Sequence, residues 1–215
     1  MRMKNDSTLY TRNIFNSREV ILLIVMETRI PFLMLFIWIM FNPLSAQFDS
    51  QNNRVKGFSW IGSDSIIASS FTEIKEIKGN WISLVAYGDM YAYNDPIVKE
   101  RTEHDWWGDS DEGIITTARL AKEQGIRVML KPHLVLPNNL SKWRHDIEMD
   151  NKEDWEKWFL TYEQWIMSYA ELAEENYIDM LSIGTELYQA TTKYPNQWRQ
   201  LIDKVRGVYL SLIHI

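Results

Sequence analysis

The sequence predicts an α/β fold in which a parallel sheet is covered by helices. Short apolar runs alternate four times with longer segments of helical periodicity, which is typical of βα units. No Gly-rich phosphate fingerprint follows the first strand, where only Ile61-Gly62-Ser63 is found, so a dinucleotide-binding sheet is disfavoured. Long loops after the strands favour a (β/α)8 barrel, which needs about 250 residues. We therefore predict a partial TIM (β/α)8 barrel, truncated after about four N-terminal βα units.

The first βα unit follows a polar linker over residues 47–56 and begins with a predicted strand over 57–61. Ser63 or Asp64 is placed to cap a helix with apolar residues at 3.6-residue spacing, and Gly79 is expected to end it. The stripe consists of Ile66, Ile67, Phe71, Ile74 and Ile77.

The second unit contains a predicted strand over 80–86 and a long loop over 87–109 that is rich in Tyr, Trp and Asp. Asp109 and Glu112 have capping-box spacing and are predicted to start the helix that follows. Gly125 lies where a helix C-cap is expected.

The third unit has a predicted strand over 126–131 that is closed by Pro132 and His133. Asp150 and Glu153 repeat the capping-box spacing at the start of a long amphipathic helix. We expect the aromatic stripe of this helix to pack in the core rather than to form a ligand platform. Its residues are Trp155, Phe159, Tyr162, Ile166, Tyr169 and Ala173.

The fourth unit has a short apolar strand over 177–183, followed by Gly184, Thr185 and Glu186. A carboxylate at the C-terminal tip of a strand is where parallel-barrel enzymes keep their catalytic acids. The alternative is that Glu186 caps the next helix or lies in solvent. Pro195 suits the first turn of the last predicted helix.

Two apolar runs near the N-terminus, over 20–26 and 30–41, are both shorter than the roughly 20 residues that span a bilayer. The second has the length of a signal-peptide core, and cleavage after Ala46 is plausible. We therefore expect residues 1–46 to be a signal peptide, with Met26 as a candidate true start, and the protein to be secreted, periplasmic or at the cell surface. An uncleaved signal anchor is the alternative.

The tail over 210–215 breaks the helical pattern before it. The sequence CTG TCT CTT ATA CAC ATC, which begins a widely used transposase sequencing adapter, translates to the same six residues. We expect these residues to be a sequencing artefact, so that the barrel segment covers 57–209. A natural C-terminus is the alternative. Non-adapter codons in the underlying DNA read, or a stop codon there in an independent clone, would contradict the artefact.

Composition excludes several classes of function. The net charge is −6 without a Lys/Arg-rich run, which argues against a nucleic-acid partner. The absence of cysteine excludes disulfides, thiol nucleophiles and zinc–thiolate sites. His104, His133 and His145 have poor spacing for a metal, and we expect no metal and no cofactor. Ten Trp and ten Tyr favour a carbohydrate ligand, because exposed aromatic rings stack on sugars.

Several spaced motifs together resemble glycoside hydrolase family 113, the β-mannanase-like enzymes of the large retaining (β/α)8 clan. They follow successive strands, in the order expected for that family. The motifs are Trp60, Tyr87-Gly88-Asp89-Met90-Tyr91, Trp106-Trp107-Gly108, Lys131-Pro132-His133 and Ile183-Gly184-Thr185-Glu186-Leu187. The resemblance covers about the N-terminal half of such a domain.

The resemblance implies hydrolysis of β-1,4-mannosidic bonds with retention, and Glu186 as the general acid/base. The family's nucleophile is a glutamate after the seventh strand, and no residue of this chain corresponds to it. Retention needs two carboxyl groups about 5–5.5 Å apart, one to protonate the leaving oxygen and one to attack the anomeric carbon. We expect the facing nucleophile to raise the pKa of Glu186 so that it is protonated at working pH.

Five other residues are candidates for substrate binding. Lys131 and His133 are placed to reach sugar hydroxyls, and Trp60 and Trp143 are candidates for stacking, with core or loop packing as the alternative. Thr185 stands where many families of the clan have an asparagine that contacts the sugar 2-hydroxyl, so that contact must be supplied differently.

These observations favour a fragment of a secreted endo-β-1,4-mannanase, whose partner is β-mannan or a related polysaccharide or oligosaccharide. One alternative is a β-mannosidase or glucan hydrolase of the same fold. Another is a non-catalytic, carbohydrate-binding or membrane-tethered barrel. We expect no membrane partner beyond an uncleaved signal anchor.

Overall fold

The structure is a computed structural model that describes residues 54–100, 106–138 and 141–215. The predicted signal peptide over 1–46 and most of the linker over 47–56 lie outside the described residues. The part described here is one compact unit, Val55–Ile215. Within it, no helix has both the length and the apolar character that crossing a membrane requires.

Six strands of the described residues form one sheet. They are β1 (Gly57–Ser59), β2 (Trp81–Asp89), β3 (Lys99–Glu100), β4 (Arg127–Val135), β5 (Met180–Ser182) and β6 (Leu212–His214). The order is β1-β2-β4-β5-β6 with every neighbouring pair parallel, and β3 pairs antiparallel with the end of β2. The predicted α/β fold with a parallel sheet is confirmed.

Helices follow the strands and pack on the sheet. The α-helices of the described residues are α1 (Thr72–Glu76), α2 (Asp111–Glu123), α3 (Lys152–Glu175), α4 (Tyr188–Lys193) and α5 (Pro195–Arg206). Three short 3-10 turns precede helices, at Ala68–Phe71, Trp107–Asp109 and Arg144–Asp146. Pro195 opens α5 as predicted, because its missing N–H is not needed in the first turn.

The first helix begins later than predicted. Ser63 does not cap it, because its hydroxyl donates to the carbonyl of Ser65 at 2.7 Å within a local turn. The 3-10 turn Ala68–Phe71 leads directly into α1, and the flanking Ile67 and Ile77 are exposed. The predicted apolar stripe is therefore buried only in part.

Two helix caps lie one residue after the predicted position. The side chain of Ser110 caps α2 and that of Asn151 caps α3, each accepting from the backbone N–H three residues on. Both caps have extended backbone, as an N-cap requires. Asp109, the predicted cap of α2, is instead the last residue of a 3-10 turn and is buried.

Strand β4 continues through Pro132, where the sequence predicted its end. Leu130, paired with Leu181, is the last residue of β4 in register with β5. Beyond Leu130, β2 is the one strand of the described residues that pairs with β4, up to Val135. Pro132 is tolerated there because a residue without an N–H fits where one side of a strand carries no ladder.

Side chains alternate along β4 because successive residues of a strand face opposite sides of the sheet. The buried face consists of Val128, Leu130, Pro132 and Leu134. Lys131 and His133 lie on the other face and are half-buried. Both residues therefore lie within β4, whereas the sequence predicted that the strand ends at Lys131.

The long helix α3 forms much of the core, as its aromatic stripe predicted. Its buried residues are Trp155, Trp158, Tyr162, Trp165, Ile166, Tyr169, Ala170 and Ala173. The hydroxyl of Tyr162 donates to the carbonyl of Ile183 at 2.8 Å, just after β5. This contact connects the core helix directly to the segment that carries Glu186.

The tail residues Leu212–His214 form β6, which pairs with β5. The backbone N–H of Ile183 donates to the carbonyl of His214 at 2.8 Å. This strand adds a fifth parallel strand to the four that were predicted. The adapter hypothesis concerns the codons of the tail and stays a prediction.

Candidate active site

Glu186 lies between the end of β5 and the start of α4, at the C-terminal edge of the sheet. Its backbone has φ of 58°, in the left-handed region that residues other than glycine rarely occupy. Such conformations cost of order 1–3 kcal/mol and cluster at functional sites. The side chain is 50% exposed, so a solute can reach its carboxyl group.

Two side chains of the loop after β4 hold this carboxylate. Trp143 Nε1 donates to Glu186 Oε2 at 2.7 Å, and Arg144 Nη1 donates to the same oxygen at 2.8 Å. Arg144 is only 7% exposed and also donates through Nε to the carbonyl of Leu134 at 2.8 Å. Its guanidinium carbon lies 4.2 Å from the centroid of the Trp143 ring.

These donors change the expected acidity of Glu186. The hydrogen bond from Trp143, followed by the hydrogen bond and charge of Arg144, lowers the pKa of Glu186 below its ordinary value, against the opposing effect of burial. The expected rise depends on a facing nucleophile that is not among the described residues, so it stays a prediction for the complete site. Two donors face the carboxylate, while no second carboxylate of the described residues contributes to its environment.

His133 lies beside this group on the half-buried face of β4, opposite Tyr87 of β2 in the strand register. Burial, with the charges of Arg144 and Lys131, lowers the pKa of His133 to about 4, so the imidazole is neutral at neutral pH. Its Nε2 atom is buried and has no hydrogen-bond partner among the described residues. A neutral imidazole nitrogen can form one hydrogen bond, but this atom is covered by the fold and does not face a solute.

The remaining predicted site residues have separate surroundings. Lys131 is half-buried two residues before His133, on the same face of β4. The Thr185 hydroxyl lies 3.4 Å from that of Ser182. Trp60 follows β1, and its ring centroid lies 4.9 Å from that of Phe71.

The structure therefore brings Trp143 and His133 into the surroundings of Glu186, through a hydrogen bond and an electrostatic interaction respectively. Trp60 is partly buried and packs against the core, and its predicted role in stacking on a sugar stays a prediction. Trp143 is 53% exposed, with one contact from its ring to Arg144 and another from its N–H to Glu186.

An open cleft of about 510 Å³ adjoins Glu186. Its lining consists of His145, Gly184, Glu186, Leu187, Tyr188, Thr191 and Ile215. Sequence reasoning did not single out Arg144, His145 or Tyr188 as site residues. The available signal was the position of Arg144 and His145 beside Trp143, in the loop after a strand. The arrangement offers one carboxyl group that can exchange a proton with a solute in the cleft.

The sequence profile described as Glycoside Hydrolase Family 113 matches residues 59–215. The chain belongs to glycoside hydrolase family 113. The resemblance of its strand-end motifs to that family is thereby confirmed, and the parallel sheet with helical cover agrees with the family's barrel. No curated protein sequence matches the chain.

Solved structures of family 113 share the fold. A structure titled "Complex structure of GH113 beta-1,4-mannanase" is 25% identical, with a TM-score of 0.63, and the match covers 74% of this chain and 54% of that one. The β-mannanase AaManA from Alicyclobacillus acidocaldarius, solved in complex with ManMIm, is 26% identical with a TM-score of 0.62, over 74% and 52% of the two chains. The family 113 chain described here therefore spans about half the length of these structures.

Proposed function

We propose that the protein containing this chain is a retaining endo-β-1,4-mannanase and that Glu186 is its general acid/base. Family membership and the mannanase titles of the similar structures support the substrate class. The observation that carries the role of Glu186 is its placement. A strained residue after a barrel strand presents a half-exposed carboxyl group to an open cleft.

In this mechanism the protonated carboxyl group of Glu186 gives its proton to the glycosidic oxygen as the bond to the anomeric carbon breaks. A second carboxylate, about 5–5.5 Å away, attacks that carbon and forms a glycosyl-enzyme intermediate. Glu186, now ionised, then takes a proton from the water that releases the sugar. We propose that the second carboxylate lies outside the described residues and that its charge raises the pKa of Glu186 in the assembled site.

Substrate contacts are assigned to the residues around Glu186. Lys131 and His133 lie on the half-buried face of β4 and are the candidates for contacts with sugar hydroxyls, although the Nε2 atom of His133 is itself covered. The exposed part of the Trp143 ring forms a stacking surface. Trp60 and Thr185 remain candidates for sugar contacts, although Trp60 also packs on Phe71.

The substitution Glu186→Gln in the full-length protein that contains this chain tests the acid/base role. We expect kcat on mannan to fall by about 10²–10⁴-fold, because general acid catalysis contributes that much. Aryl mannosides with good leaving groups should lose much less in their glycosylation step, since they need little proton assistance. The rates on the two substrate types are compared in parallel.

The matched control is Glu156→Gln, which removes an exposed carboxylate of α3 and should leave both rates unchanged. Equal losses on mannan and on aryl mannosides in Glu186→Gln would argue against the acid role. Activity limited to terminal mannosides, or to glucans, would favour a β-mannosidase or glucan hydrolase. Binding without turnover by the wild-type protein would favour a non-catalytic barrel.

We also propose that residues 1–46 export the protein, on the basis of their apolar core and the small residues before Gln47. N-terminal sequencing of protein recovered outside the cytoplasm should begin at Gln47. A mature protein that retains Met26 would support the signal anchor instead.

A further inference from the structure

Arg144 is a buried cation whose contacts all lead to Glu186 or to its surroundings. One arm of its guanidinium donates to the carbonyl of Leu134 near the end of β4, and another donates to Glu186 Oε2, both at 2.8 Å. Its guanidinium carbon lies over the ring of Trp143, 4.2 Å from the ring centroid. A guanidinium presents its donors in a rigid fork, so this pair of contacts sets the position of the carboxylate relative to β4.

The two donors to Glu186 converge on one oxygen. Trp143 Nε1 lies 2.7 Å from Oε2 and Arg144 Nη1 lies 2.8 Å from it. Both groups are donors only and carry no lone pair that could accept a proton. A proton on Oε2 would point at one of these N–H groups, whereas Oε1 accepts from neither of them. The protonated form of Glu186 therefore carries its hydrogen on Oε1.

We propose that Arg144 is a positioning residue which, together with Trp143, holds Glu186 by Oε2 and leaves Oε1 to carry the transferred proton. The proposal rests on the acid/base role proposed above for Glu186. In this role the buried guanidinium of Arg144, which lies in the loop after β4, orients the catalytic carboxyl group. The proposal also accounts for the indole N–H of Trp143, which a purely stacking role would leave unused.

The charged and titratable groups around the carboxyl group are few among the described residues. Arg144 and His133 act on Glu186 directly, and Lys131 acts on His133. His145 lines the same cleft and lies 3.3 Å from Asp146. Among these groups, Arg144 is both positively charged and hydrogen-bonded to Glu186. Its removal should therefore change both the acidity and the orientation of the carboxyl group.

A ¹³C NMR titration of the Glu186 side-chain carboxyl tests the proposal in the full-length protein that contains this chain. In Arg144→Gln we expect its pKa to rise by about one unit or more, because an opposite charge is lost. Trp143→Phe should also raise it, because one donor is lost. Arg144→Lys keeps the charge but not the fork, so its shift should be the smallest. The exposed Arg199 supplies the control, and Arg199→Gln should cause no shift.

Kinetics separate positioning from structural support. In Arg144→Gln we expect kcat on mannan to fall by about 10–100-fold with KM within about twofold, and the basic limb of the kcat profile to move to higher pH. A merely structural role would reduce the folded fraction and leave that limb in place. Trp143 is half-exposed, so Trp143→Phe tests the contact even if Arg144→Gln does not fold.

An unchanged Glu186 pKa in the folded variants would overturn the proposal. So would a shifted pKa with an unchanged kcat on mannan. The titration measures the effect of Arg144 on the pKa of Glu186 and does not depend on enzyme activity. A shifted pKa, combined with equal losses of Glu186→Gln on mannan and aryl mannosides, would therefore reject the acid/base role and leave the contact established.

Discussion

Glu186 owes its surroundings to two residues that lie 43 and 42 positions earlier in the chain. Trp143 and Arg144 give the carboxylate two donors, and Glu186, which lies after the end of β5, has a left-handed backbone. In the described residues these donors favour the ionised form. Acid catalysis needs the protonated form, so the balance between these donors and a facing carboxylate decides the working pH of the site.

His133 offers a second residue whose charge state the fold controls. Its folded pKa of about 4 lies below the ordinary value of 6.5, so the folded state binds fewer protons than the unfolded state between these values. The stabilising contribution is complete above pH 6.5 and is lost as the pH falls towards 4. We expect the free energy of unfolding, measured by urea titration, to fall over that range.

The variant His133→Gln isolates this contribution, because carboxylates also titrate at the acid end of the range. The difference in unfolding free energy between wild type and variant should shrink or change sign as the pH is lowered from 7.5 to 4.5. A difference that does not vary with pH would show that His133 titrates normally in the folded state.

Helix α3 connects the packed core to the segment that carries Glu186. Trp158 stacks on Tyr162 with ring centroids 4.7 Å apart, and the Tyr162 hydroxyl reaches Ile183 beside the Glu186 segment. On β2, a Cβ at Gly88 would lie 2.7 Å from the Trp165 ring. Glycine is needed there because the ring of α3 occupies the space that a side chain would fill.

The start of α3 provides a test at the level of the element. The Asn151 side chain accepts from the backbone N–H of Asp154 at 2.9 Å, so Asn151→Ala should lower the free energy of unfolding by about 1 kcal/mol. Urea unfolding of the two proteins measures the difference. Asn151→Ser, which keeps a capping oxygen, should lie close to wild type. If Asp150→Ala lowered the free energy of unfolding more than Asn151→Ala did, the N-cap of α3 would be Asp150, as the sequence predicted.

The whole described unit is an open sheet with β1 at one edge and β6 at the other. Full closure of a barrel leaves no such edges. The similar mannanase structures extend to about twice the matched length. The described residues contribute one carboxylate to the proposed reaction, and retention requires two.

We therefore expect a polypeptide of residues 55–215 alone to release no reducing sugar from mannan. The control is the full-length protein that contains this chain, assayed at the same concentration. Turnover by the short polypeptide that disappears in Glu186→Gln would contradict the expectation, because a contaminating enzyme would not respond to that substitution.

Periodicity and turn residues were enough to predict the parallel sheet, the burial of the α3 aromatic stripe and the position of Glu186 after a strand. These features depend on local sequence, since alternation and apolar spacing are read within about a dozen residues. The strand-end motifs were also enough to indicate the family. Strand and helix ends were less predictable. Pro132 lies within β4 because a neighbouring strand is short, and no local pattern reports that.

Only the tertiary structure decided the chemistry around Glu186. Arg144 is buried, bound to β4 and aimed at a carboxylate 42 positions away, and nothing in its local sequence distinguishes it from an exposed loop arginine. The direction of the Glu186 pKa among the described residues followed from those donors. The sequence determined the order of strands and helices and the position of Glu186 after a strand. Hydrogen bonds and charges depend on distances in space, so the fold decided which side chains meet.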